Sequence, residues 1–291
     1  MNVYKPVLVL VAALMFVGGC ARWSHGWDMK AWKSSGRQDV EEVKTYAARL
    51  EKSAVTRDQV QRLIESLKYV VAAEPDNLDA TVRLAQAWIV KGVGHSRDSG
   101  DKGDSLRRAI TISERAMSLD PAFVAAVRAV PGGKGKVSDA IGTLDAKYAS
   151  AAAVWALATL LYYEESLSEV LKITNRHLID DVAAVLNWMD RVAPAYGEGM
   201  TLALRGMAAA VSPGAQMVNV SDMFDAAVVA GPKSMLNLWL RGVYLYRNFG
   251  DKVSEGADFK AIRDLKPEEV PGFVPLNRMI RLSVERTSRW N

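Results

Sequence analysis

From Val40 onward apolar residues recur at helical spacing, as in Val60, Leu63, Ile64, Leu67, Val70 and Val71, which lines up one side of a 3.6-residue helix. No stretch alternates with a period of two, so the predicted fold class is all-α. Residues 147–163 are rich in alanine and carry Trp155, Leu160, Tyr162 and Tyr163. A helix apolar nearly all round is expected in the interior.

Four helical patterns end near a proline and are followed soon by another: Pro75, Pro121, Pro194 and Pro232. Proline lacks an N–H and fixes φ, so it suits the close of one helix or the first turn of the next. The recurrence predicts helix-pair units of the tetratricopeptide kind. Counting back from Pro121 places Ala109 and Ala116 where small residues let helices approach, and counting forward from Pro75 places Leu84, Ala85 and Trp88 on the next unit's first helix. The prolines are unevenly spaced. The expected architecture is therefore an irregular tetratricopeptide-like helix-pair array, α-solenoid-like, forming a single domain over residues 39–291. Its clearest predicted interruption is a polar loop, Gly92 to Ser105. A second, Pro131-Gly-Gly-Lys-Gly-Lys136, lacks both the spacing of a phosphate loop and a preceding strand.

The N-terminus changes the picture. Lys5, an apolar run from Val7 to Val17 and the small pair Gly18-Gly19 precede Cys20, as in a secretory signal. The run is shorter than the roughly 20 residues a bilayer crossing needs. Val17-Gly18-Gly19-Cys20 resembles the bacterial lipobox, so residues 1–19 are expected to be a signal peptide and Cys20 the lipid-attachment residue. Cys20 is the only cysteine and has no disulfide partner in the chain. Residues 20–38 then form a lipidated tether. Its Trp23, Trp27 and Trp32, interspersed with Arg22, Lys30 and Lys33, either sit at a membrane interface or pack on the first helices.

Net charge is +4, near +3 once Lys5 leaves with the signal, and no nucleic-acid footprint follows. Arg278, Arg281, Arg286 and Arg289 read as a solvated helix face. His25, His95 and His177 lie far apart, so no metal site and no cofactor is expected. Asp98, Asp101 and Asp104 recur every third residue, which is not a calcium-loop spacing. Glu165-Ser166 is similar to the Glu-Ser pair of all-α lytic transglycosylases, but the Gly-Leu-Met-Gln-like stretch of that family is missing. The expectation is therefore that the chain is no enzyme and has no catalytic residues.

Cys20, the broken helix pairs, Glu114-Arg-Ala-Met-Ser-Leu-Asp-Pro-Ala-Phe123, Ala153-Val-Trp-Ala-Leu-Ala158, Leu186-Asn-Trp-Met-Asp-Arg-Val-Ala-Pro-Ala-Tyr-Gly-Glu-Gly199 and Asp222-Met-Phe-Asp-Ala-Ala-Val-Val-Ala-Gly-Pro232 follow one another in an order that resembles the TRAP-transporter-associated TatT component family. Asp251 and Phe259 continue it. Ala193, in place of the aspartate of an Asp-Pro turn, and the wider spacing at Lys252 to Asp258 depart from the family pattern. The resemblance implies a periplasmic lipoprotein that forms a homo-trimer, holds ligand-sized clefts and works beside the solute-binding protein of a tripartite ATP-independent periplasmic transporter. Ala21 after the acylated cysteine favours the outer membrane over the inner. The alternative is a general envelope scaffold whose concave face holds partner segments.

For the ligand, Ser234 to Asn248 is predicted as one helix with Leu236, Leu240, Val243 and Tyr246 facing the core. Asn237, Arg241, Tyr244 and Asn248 then stand at i, i+4, i+7 and i+11 on another face. That stripe either is the solvated side or lines a cleft in which Arg241 pairs with a ligand carboxylate.

Overall fold

The computed structural model describes residues 25–30 and 39–287. Helices begin where a short polar side chain can hold the first free backbone N–H groups. Asp39 accepts from the N–H of Glu41 at the start of α1, Val40–Ser53. Thr56 and Gln59 form a reciprocal capping box on α2, Arg57–Ala73. Asn77 caps α3, Leu78–His95, and Asp98 caps α4, Ser99–Met117. Asp120 caps α5, Pro121–Ala129, with Pro121 in the first turn where its missing N–H costs nothing. Pro75, Pro194 and Pro232 sit in turns between helices.

The chain continues through the short α6, Val137–Ala140, to α7, Ala149–Ser166, α8, Glu169–Thr174, and α9, His177–Val192. It closes with α10, Met200–Ala210, α11, Met217–Ala230, α12, Met235–Leu240, α13, Lys252–Asp264, and α14, Val274–Thr287. Among the described residues there is no strand, and the fold is an all-α helical array. Neighbours in sequence pack as neighbours in space from α1 to α4, and α4 then rests on α7. As its composition predicts, α7 is the interior helix: it touches α3, α4, α9 and α10 and buries Ala151, Ala152, Ala153, Ala156 and Leu160 completely. Ala109, Ala116, Leu84, Ala85 and Trp88 are all buried at the helix contacts. The final helix, α14, returns onto α3 and α1, so the two ends of the array meet.

The loop expected from Gly92 to Ser105 is not there. Gly92 and Gly94 are the end of α3, Gly100 and Gly103 belong to α4, and only Ser96, Arg97 and Asp98 lie between. Glycine inside a helix costs about 1 kcal/mol relative to alanine. Here tertiary packing outweighs that cost, because Gly94 lies too close to Met279, and Gly92 too close to Leu106 and Ser105, for a larger side chain to fit freely.

Residues 25–30, expected to be tether, are docked on the array. Gly26 donates its N–H to Glu114 Oε2 at 2.7 Å, and His25 Nδ1 lies 3.5 Å from Oε1. Trp27 is buried, stacked on His25 and edge-on to Phe123, so this tryptophan serves the protein's own core. Cys20, Trp23, Trp32 and the signal segment lie outside the described residues. A Cβ at Gly26 would run into the backbone of Thr111 and Arg115. Gly26→Ala is therefore expected to cost about 1–3 kcal/mol, as overpacking does, and to free the segment. Limited proteolysis checks this by earlier cleavage near Met29.

Candidate functional site

Closure of the array creates a cleft of about 490 Å³ where α1, α3 and the start of α14 converge. Its lining comes from five places in the chain: Glu51 on α1, Arg83 and Gln86 one turn apart on α3, Ser150 at the start of α7, Tyr196 in the turn after α9, and Phe273 just before α14. Glu51 is the unusual member. Its side chain is 15% exposed, Arg83 NH1 lies 3.5 Å from Oε1, and that oxygen accepts no hydrogen bond. Arg83 instead directs its Nε to Asp79 Oδ2 at 3.0 Å. Burial pushes the Glu51 carboxyl up, more strongly than the Arg83 charge pulls it down. Burial raises the Tyr196 phenol as well. The cleft thus offers a guanidinium, a carboxyl inclined to keep its proton, a phenol and an aromatic wall, a few polar groups in a concave, partly apolar site.

Glu51 also makes stability depend on pH. The folded state holds its proton to higher pH than the unfolded chain, so this group's contribution is complete below the ordinary value of 4.5 and is lost as pH rises through the raised folded value. Glu51→Gln is expected to remove that loss and to gain on the wild type as pH rises above 4.5. Urea unfolding at pH values on both sides checks it. A difference independent of pH would disprove it.

The stripe predicted around Arg241 does not form a single face: Asn237 and Tyr244 are buried, Arg241 is half-buried and Asn248 is exposed. The α-helix stops at Leu240 and a π-helical turn, Arg241–Arg247, takes over. Widening the turn shifts every later side chain around the axis. Leu236 and Leu240 are buried as expected, but Tyr244 and Leu245 take the interior positions while Val243 and Tyr246 are only half-buried. The four stripe residues separate. Asn237 is fully buried and donates to the carbonyls of Glu198 and Ala227 at 2.9 and 3.1 Å. Tyr244 is buried and donates to Glu165 Oε1 at 2.6 Å, and burial, then Glu165, raises its pKa well above 10. Asn248 is exposed.

Arg241 uses its fork inside the protein: Nε and NH2 donate to the two oxygens of Asp258 at 2.9 and 2.6 Å, and NH1 donates to Asp225 at 2.8 Å. Burial opposes its charge, but hydrogen bonds to Asp258 and that residue's charge outweigh burial and raise its pKa.

The other polar groups noted in the sequence are engaged too. Glu165 takes Lys102 Nζ at 2.7 Å on its second oxygen, so both its oxygens have partners. Asp98 caps α4, Asp101 pairs with Arg57 and Asp104 with Arg107. Arg278 pairs with Glu268 and Arg281 with Glu285, while Arg289 lies outside the described residues. Pro131–Gly133 is a 3-10 turn that follows a helix. Among the described residues no group of His, Cys, Asp and Glu is placed to hold a metal, and no helix is long and apolar enough to cross a membrane.

The sequence reading missed Glu51, Arg83 and Phe273, because no local pattern joins residues contributed by five separate segments. Tyr196 falls within a segment of the family resemblance, which was its only signal. Neither a protein-family model nor a curated protein matches the chain.

Proposed function

We propose that this chain is a lipid-anchored helical binding module of a bacterial envelope. In this reading it is an accessory of a TRAP transporter that binds the solute-binding protein and holds a small organic ligand in the cleft of Glu51, Arg83, Tyr196 and Phe273. The observation that carries the binding role is the cleft itself, with a desolvated carboxyl that has no hydrogen-bond partner on one oxygen. A protein gains no stability from such a group, and a ligand would supply the missing partner. The lipobox-like Val17 to Cys20 and the ordered resemblance across the mature chain support the anchor and the transporter context. In the same reading the anchor faces the periplasm from the outer membrane and the module works as a trimer.

Exposed Val170 and Ile173 on α8 favour a second reading, a scaffold that holds other envelope proteins. Affinity capture from the native envelope separates the two. Recovery of a solute-binding protein supports the accessory role, and its absence from a capture that brings down other envelope proteins supports the scaffold. Cys20→Ser is expected to abolish labelling by a metabolic fatty acid and to release the protein from the membrane. Unlabelled wild type would overturn the anchor.

A further inference from the structure

A second pocket, of about 250 Å³, lies on another face of α3, between α2 and α4. Trp88, only 6% exposed, forms part of its wall, with the Lys91 ammonium 4.6 Å and the Arg108 guanidinium 4.8 Å from its ring centroid. Three acids also line the pocket, and each already has a cation of its own. Glu65 pairs with Lys68 at 3.0 Å, Asp101 with Arg57 at 3.3 Å, and Asp104 with Arg107. Asp101 further accepts the Arg97 N–H at 3.1 Å. Lys91 and Arg108 make no ion pair among the described residues, so they are the uncompensated charge of the pocket.

Gathering two cations on one ring has a cost that the ring repays only in part. A cation–π contact at an exposed site is weak, and like charges repel. Burial, with Arg108, Arg57 and Arg97, makes the Lys91 charge harder to keep, against the opposing pull of Asp101. An oxyanion between the ammonium and the guanidinium would relieve both penalties, since one supplies a mobile point charge and the other a planar fork.

We propose that Lys91 and Arg108 form a binding site for the oxyanion group of a small ligand, a carboxylate or a phosphate, beside Trp88. This site is separate from the Glu51 cleft and does not depend on what the cleft holds.

The test is titration calorimetry of the full-length protein in detergent with inorganic phosphate and with succinate, at low and high salt. The expected result is saturable binding of at least one probe, weakened by salt, and the probe that binds identifies the group. Lys91→Met and Arg108→Gln should each weaken binding about tenfold or more, as loss of a charge-assisted hydrogen bond does. Lys91→Arg should retain most of it, and Lys134→Met, an exposed charge elsewhere, should leave it unchanged. If Lys91→Met unfolds the protein, the exposed Arg108 decides the matter. No saturable binding of either probe, equal binding in the Arg108→Gln variant, or an equal loss in Lys134→Met would overturn the proposal.

Discussion

Replacing Arg241 by alanine is expected to destabilise the protein by about 3–5 kcal/mol, the usual cost of removing one partner of a buried ion pair. The cost falls on Asp258, whose side chain is 5% exposed and would lose both of its guanidinium hydrogen bonds. Asp225 adds little, because its side chain is 52% exposed and water replaces the lost contact. Arg241→Lys keeps the charge but not the fork, so a smaller loss of about 1–3 kcal/mol is expected. Urea unfolding of the three proteins measures this. Unchanged stability in the alanine variant, together with loss of organic-acid binding, would return Arg241 to the ligand-binding role suggested by its place in the sequence.

Trp188→Ala carries an effect of similar size, about 3–5 kcal/mol, as for other large aromatic residues removed from a core. The indole is 1% exposed in α9 and its Nε1–H donates to the Leu144 carbonyl at 3.3 Å. Truncation would therefore open a cavity and strand a carbonyl at the same time. Trp188→Phe retains most of the volume and loses the donor, so the difference between the variants separates packing from hydrogen bonding. A melting temperature unchanged in Trp188→Ala would show that the surrounding helices collapse onto the space.

Local chemistry was legible along the chain wherever its cause is local. Period 3.6 apolar patterning needs only one helix and one buried face, so the all-α class followed from residues such as Val60, Leu63, Ile64 and Leu67. The alanine-rich composition of residues 147–163 likewise required an interior helix, and Pro121 marked a helix boundary because its backbone constraints act within one turn. What only the tertiary structure decided involves contacts between distant segments. Gly92, Gly94, Gly100 and Gly103 read as loop on their own propensity, yet they lie inside helices, with Gly94 packed against Met279 and Gly103 against Ser166. Gly26 and Trp27 carry no periodic signal and are held by Glu114 and Phe123, far along the chain. Arg241 occupied the right place for a ligand in an ideal helix, but Asp258 and Asp225 engage its guanidinium, and the π-helical turn that begins there changes the positions of Tyr244 and Asn248. The cleft of Glu51 and the pocket of Trp88 exist only because helices far apart in sequence pack side by side, a fact set by the summed burial of many apolar faces rather than by any one segment.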